Sequence, residues 1–299
     1  MSHYKYFNKY MIEKFLSKKH AALLGDLPFK YESSVVYLDF AGYVIERNGE
    51  KNVAVQDVLY PNDFPYLFLP KKKENWVNSY IQWATKKQLK DLKNEVEIIK
   101  SFPSGREFFY NTKDFIDLEG GEWKKFRQDI HYFGNNYQYE LKSDYPLEEV
   151  LSFTKNIWLK EQAEKTVSFD ESYNFFKFCL ENQDKYTIKT IYIEVNKKLA
   201  GLAMGVNFNK SKKNWLALHI KVNYQYRGLS RFLYHERAKL FSDFVEFTSG
   251  ATCAGDEGIE QFKQSLNPSR LEESYYVITG KKLIDHNKGE NEKRNLSAF

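Results

Sequence analysis

His219 lies in the run NWLALHIKV, and its imidazole titrates in the range suited to taking a proton from an attacking amine. Strand alternation predicts Leu216, Leu218, Ile220 and Val222 on one face and Ala217, His219 and Lys221 on the other. That second face would line a cleft or meet solvent. Glu194, in the neighbouring KTIYIEV, could activate an amine through water or serve as a surface charge beside Lys197 and Lys198. Tyr275 and Tyr276 would donate a proton to a leaving group, or pack within a strand. An amine attacking an activated carbonyl needs mainly alignment and a donor for the developing oxyanion, so residues as modest as these suffice.

A second group concerns anions. In NYQYRGLSRFLYHERAKLF, the residues Gln225, Arg227, Gly228, Leu229 and Ser230 form a strand-to-helix connection. A glycine at a helix entry lets backbone N–H groups approach a phosphate at the positive end of the helix dipole. An ordinary connection would also tolerate that glycine. Lys124, Lys125 and Arg127 interleave with Trp123 and Phe126, a pattern that suits phosphate contact with base stacking. It equally suits an amphipathic helix with both aromatic residues turned inward. Lys263 is a phosphate contact or a helix surface charge.

The elements that must position these residues follow from periodicity and turn chemistry. SSVVYLDFAGYVIER, AVQDVLY and PYLFLP read as strands, NWVNSYIQWATKKQLKDLK as a helix, then VEIIKSF and REFFYN as strands. YPLEEVLSFTKNIWLKEQ and ESYNFFKFCLENQ read as helices, followed by three successive strands, KTIYIEV, KLAGLAMGVNF and NWLALHIKV. A tight turn at Asn196-Lys197-Lys198 separates the first two strands. On the helix after Gly228, Leu229, Leu233, Leu240 and Phe244 share one face, with Arg231, His235 and Lys239 elsewhere. The two halves share a loosely similar order of elements.

Composition bounds the rest. The 299 residues allow two ordinary domains, and 24 Phe with 22 Tyr exclude a disordered composition. A net charge of +5 suits an anionic ligand without the basic stripe of a dedicated nucleic-acid module. Cys179 and Cys253 match no metal or redox spacing, so free thiols in a reducing compartment are expected. The charged N-terminus and the lack of a long apolar run predict a cytoplasmic protein.

Three strands, a glycine-bearing turn and an amphipathic helix resemble the central part of the GNAT acyltransferase fold. Gln225, Gly228 and Ser230 occupy the three defining positions of its helix-entry motif, with Ser in place of the usual last small residue. REFFYNTKDFIDLEGGEWKKFRQDIHYF resembles a segment of the phosphatidylglycerol lysyltransferase C-terminal-like family, a tandem-GNAT family, with Asp114, Leu118, Gly121, Lys124, Arg127 and Phe133 in place. Phe126 departs from that pattern. GDEGIEQFKQSLNPSR resembles its second signature through Gly255, Gly258, Ile259, Lys263, Ser265 and Pro268. Upstream, Ser249-Gly250-Ala251-Thr252-Cys253 replaces the polar run many members carry. The Phe262-Lys263 pair is similar to the Fem-type aminoacyl-tRNA-dependent transferases.

The resemblance implies an α/β (α+β) chain of two tandem GNAT-like domains, residues 1–138 and 139–284, each with a mixed, largely antiparallel sheet, and a polar tail at 285–299. It implies transfer of an acyl or aminoacyl group from acyl-CoA or aminoacyl-tRNA to an amine or hydroxyl acceptor, with no covalently held cofactor and no metal. In that scheme His219, Glu194 and Tyr276 serve catalysis, the segment from Gln225 to Ser230 meets the donor's phosphate, and Lys124, Lys125, Arg127 and Lys263 meet a polyanion. A non-catalytic binding or regulatory protein on the same fold is the alternative. Strands parting beside Gly228 would support the fold.

Overall fold

The computed structural model describes residues 76–77, 79–162, 169–208, 211–253 and 257–283, with pieces at 34, 36–37, 40, 43–47 and 53–57. PYLFLP, Gly255 and the tail at 285–299 lie outside the described residues. Strands β1 (Tyr43–Arg47) and β2 (Val53–Asp57) pair antiparallel with one another. Within the stretch expected to be strand, positions 36–37 and 40 are helical instead. Ser34 Oγ there accepts from the Tyr37 N–H at 3.3 Å, as a helix-starting side chain does.

The helix expected over Asn75–Lys93 divides in two. Residues Tyr80–Thr85 form strand β3, and the helix α1 runs from Lys86 to Glu95. Thr85 sets the boundary by a capping box: its Oγ1 accepts from the Gln88 N–H at 3.2 Å, and its own N–H donates to Gln88 Oε1 at 2.8 Å. The two strands expected at VEIIKSF and REFFYN are a single 16-residue strand, β4 (Val96–Asn111), whose register against its neighbour shifts at Ser104.

Helices α2 (Thr112–Asp117) and α3 (Lys124–Asn136) follow, then the short strand β5 (Tyr139–Lys142). Next come α4 (Leu147–Gln162), α5 (Phe169–Glu181) and α6 (Gln183–Tyr186). The three expected strands are present as β6 (Lys189–Val195), β7 (Lys198–Asn207) and β8 (Asn214–Val222). Asn196 and Lys197, at φ 52° and 63°, make the tight turn between the first two. The helix α7 (Leu229–Leu240) follows Gly228 and ends before Phe244, although the periodicity places that residue on its apolar face. Strand β9 (Glu246–Cys253), helix α8 (Glu257–Gln264) and strand β10 (Arg270–Leu283) complete the order.

Among the described residues, eight strands make one sheet in the order β3-β10-β4-β9-β8-β7-β6-β5, antiparallel throughout except for β8 and β9. Strand β4, from the first expected unit, thus lies between β9 and β10 of the second. On one face, Val150 of α4 and Phe175, Phe176 and Cys179 of α5 pack on Tyr192, Leu202, Met204, Leu216 and Leu218. On the other, α3 and α7 bury Phe133, Leu229, Phe232 and Leu233 against Ile191, Ile193, Ala203 and Val222. Cys179 is a free, buried thiol whose pKa burial pushes up.

Trp215 anchors the start of β8. Its ring stacks at 4.3 Å from both Phe241 and Phe247, and its indole N–H donates to Thr112 Oγ1 at 2.9 Å. Strand β9, α7's end and α2 are thereby tied to one side chain. Trp215→Ala is expected to lower unfolding free energy by about 3–5 kcal/mol, the usual cost of emptying a buried aromatic site, read from urea denaturation. Trp215→Phe should cost clearly less.

Candidate functional site where two strands part

Strands β8 and β9 run parallel and pair only over Asn214↔Glu246, Trp215↔Phe247 and Leu216↔Thr248. Beyond that point each continues, β8 to Val222 along β7 and β9 to Cys253 along β4, without pairing with the other. Both strands bulge as they part. Between Ala203↔Ile220 and Gly205↔Ala217, β8 spends one residue more than β7. Between Glu107↔Ala251 and Phe109↔Thr248, β9 spends one more than β4, and Gly250 takes φ 84° there.

Bulged carbonyls lose their ladder geometry, and inside a protein they need another donor. Two cations supply it, one for each strand. Arg237 of α7, 2% exposed, donates through Nη1 to Met204 O and His219 O, both at 3.3 Å. Lys263 of α8 donates through Nζ to Ser249 O at 3.1 Å and Gly250 O at 2.6 Å. The Tyr110 hydroxyl donates to Lys263 O at 3.0 Å, and burial pushes its pKa up so that it stays protonated. Buried Glu107 accepts from Thr248 Oγ1 at 2.9 Å beside the same bulge.

The bulge in β8 corrects the expected alternation. His219 does not share a face with Ala217; it lies with Leu216 and Leu218 on the α5 side, its ring 5.4 Å from Phe175 and 5.3 Å from Phe176. Ile220 and Val222 pack on the α7 side instead. Burial first, then Lys221 and Arg237, push the pKa of His219 down to about 3, so at neutral pH it is an uncharged and weak base.

The other expected proton-transfer residues stand on different strands. Glu194 is on β6, and its neighbours are Lys142 Nζ at 2.9 Å and the Tyr145 hydroxyl at 3.0 Å, rather than Lys197 and Lys198. The Lys142 hydrogen bond holds its carboxyl below the usual range. Tyr276 is on β10, its ring tilted against Phe102 at 5.0 Å between centroids, and Tyr275 donates to Glu273 Oε2 at 2.9 Å. Two strand spacings separate β6 from β8 and three separate β10 from β8, roughly 10 and 14 Å at about 4.8 Å per strand. The sheet does not bring His219, Glu194 and Tyr276 together.

The anion candidates are resolved in similar detail. Trp123 and Phe126, each 4% exposed, pack on Phe115, so the basic motif is an amphipathic helix with its aromatic residues inward. Lys124 and Lys125 are exposed. Arg127 clasps the turn before its own helix, donating through Nη1 to Leu118 O and, at 2.9 Å, to Gly120 O. Gln225 is exposed, and its N–H donates to Asn223 Oδ1 at 3.1 Å. Leu229 is buried and Ser230 half-buried at the first turn of α7. Arg227 and Gly228 face α3 and its Asp129.

Arg237 carried a readable signal, since Leu229, Leu233 and Arg237 fall every fourth residue and put a guanidinium in the apolar stripe. Asp129 and Tyr110 had none, because their partners lie about a hundred residues or more away. Among the described residues, no group of His, Cys, Asp and Glu could hold a metal ion, and no helix is long and apolar enough to cross a membrane.

Comparison with known proteins places this geometry. The family described as phosphatidylglycerol lysyltransferase, C-terminal, matches residues 73–278. A conserved protein of unknown function from Bacteroides thetaiotaomicron is similar over 67% of this chain and 70% of its own, at 18% identity and a TM-score of 0.60. FemX is similar over 87% and 95% at 9% identity and a TM-score of 0.57. L-PGS from Bacillus licheniformis is similar over 93% of both chains at 11% identity and a TM-score of 0.50. At such identities the likeness is one of fold, and it agrees with the expected mixed sheet flanked by helices. No curated protein matches the chain.

Two outcomes follow from the site. Lys263→Met removes the donor to Ser249 O and Gly250 O, and should cost about 1–3 kcal/mol together with faster amide hydrogen exchange along β9. The second concerns pH. Because the folded pKa of His219 lies at about 3, below the 6.5 of a free imidazole, its contribution is fully present above pH 6.5 and is lost as pH falls towards 3. His219→Gln should flatten the fall in unfolding free energy across that window, measured by urea denaturation at each pH, by up to about 1.4 kcal/mol per pH unit.

Proposed function

The chain belongs to the phosphatidylglycerol lysyltransferase C-terminal family, and we propose that it is a GNAT-type acyl- or aminoacyl-transferase working in the gap between β8 and β9. The observation that carries this proposal is the parting itself. After Leu216↔Thr248 the facing edges of β8 and β9 do not pair with each other, while Arg237 and Lys263 hold the bulged carbonyls on either side. Two facing strand edges suit an extended ligand, and a backbone N–H there suits an oxyanion.

In the reaction proposed, the acceptor's nitrogen or hydroxyl oxygen attacks the donor carbonyl carbon. The bond from that carbon to the donor's ester oxygen or thioester sulfur breaks as the new bond forms. The acceptor's proton passes to the leaving oxygen or sulfur, directly or through water. His219, at a pKa of about 3, contributes little as a base, so alignment in the gap carries most of the acceleration. The donors proposed are acyl-CoA and charged tRNA, and the place proposed is the cytoplasm.

A non-catalytic role on the same fold is favoured by one group of observations: neutral His219, Glu194 engaged by Lys142 and Tyr145, and the run Ser249–Cys253 in place of more polar residues. Titrating the full chain with acetyl-CoA and with charged tRNA, then following transfer to a broad panel of amines and alcohols, separates the two. Transfer from one of the two donors is the expected result. Tight donor binding without transfer to any acceptor would establish the binding role, and failure to bind either donor would remove the transferase.

A further inference from the structure

The entry to α7 is already occupied by an anion, and that anion belongs to the protein. Helix α3 lies across the first turn of α7, with Phe133 at 5.0 Å from Phe232 between ring centroids. It brings Asp129 to the loop that the helix-entry motif marks for phosphate. The Asp129 carboxylate, 14% exposed, pairs with Arg231 Nη1 and lies 3.7 Å from Arg227 Nε. Arg231 also donates to Lys125 O at 3.4 Å, and Arg227 lies over the Tyr132 ring at 4.5 Å. Both guanidiniums nearest the helix entry are therefore engaged by α3.

Gly228 shows how close the cover is. At φ 86° it turns the chain into α7, and a Cβ added there would lie 2.1 Å from Asp129 O and 3.2 Å from Phe133 Cβ. The glycine that would let a diphosphate approach the backbone instead lets the backbone of α3 approach it. The positive end of a helix with two arginines beside it favours negative charge, and one carboxylate supplies it. A diphosphate brought to the same place would meet that carboxylate as a like charge.

We propose that Asp129 is a specificity-determining residue, an internal anion that holds α3 over the entry of α7 and closes it to donors whose diphosphate would sit there, which removes coenzyme A thioesters from the two donor classes proposed above. The meaning of this closure rests on the transferase proposal; the closure itself does not. The test uses the full chain with Asp129→Ala, and melting midpoints measured with inorganic phosphate, inorganic diphosphate and coenzyme A against chloride at matched ionic strength.

The wild-type midpoint is expected to be indifferent to all three. Asp129→Ala should melt lower, and phosphate or diphosphate, refilling the vacated anion position, should recover most of the lost midpoint where chloride does not. Adding Arg231→Ala should abolish that recovery. Should Asp129→Ala fail to fold, Asp129→Asn removes the charge with the shape kept and gives the same comparison. Stabilisation of the wild type by coenzyme A that disappears with Arg231→Ala would overturn the proposal, as would a folded Asp129 variant that no anion rescues. None of these readings needs turnover, so a failed transfer assay and a failed anion rescue point to different faults.

Discussion

Two parallel strands that stop pairing after three residues impose a demand on everything around them: the backbone groups they release must be satisfied without closing the gap. Had the freed carbonyls found each other's N–H groups, the sheet would have been continuous and featureless at its centre. Bulges turn them aside, and Arg237 and Lys263 take them up from the helices packed over each strand. A charged donor to a carbonyl is stronger than a neutral one, which suits a place where the ladder has been lost. The helices α7 and α8 are thus held to the sheet by more than apolar contact, and their polar anchors meet it where it opens.

Much of the surrounding fold was legible, and the reasons are local. Strands β6, β7 and β8 show in apolar residues bounded by turns, and Asn196-Lys197 is chemistry for a turn with positive φ. The helix over Asn75–Lys93 misled because Val77, Ile81 and Ala84 are spaced as a helix face would be, while the decisive signal was the shorter Thr85-x-x-Gln88 box. The bulge in β8 had no signal at all. Leu218-His219-Ile220 reads as plain alternation, and only pairing with β7 shows that one residue is extra. His219 changed faces for that reason, and with it the chemistry assigned to it.

The basic segment and the glycine loop illustrate a different limit. Trp123 and Phe126 could stack on bases or fill a core, and their residue types are identical in both cases. What decided the matter was Phe115, eight residues upstream of Trp123, which offers both of them an aromatic partner. Gly228 does take a left-handed backbone, φ 86°, but its neighbour is Asp129, brought there from a distant part of the chain. Motifs report what a backbone can accommodate, and the tertiary fold decides what it does accommodate.

The place of β4 has a consequence for how the molecule is made. Strand β9 is bounded on one side by β8, close to it in the chain, and on the other by β4, whose partner residues Arg106 and Thr252 stand far apart in sequence. β10, the last described strand, then closes over β4 and reaches β3. Local pairing can therefore assemble β6, β7 and β8 early, whereas the β9 side of the gap waits for a strand made long before it and is locked by one made after it. During synthesis the gap has one finished bank and one unfinished bank, and a nascent chain spends that interval with the β4 edge unprotected.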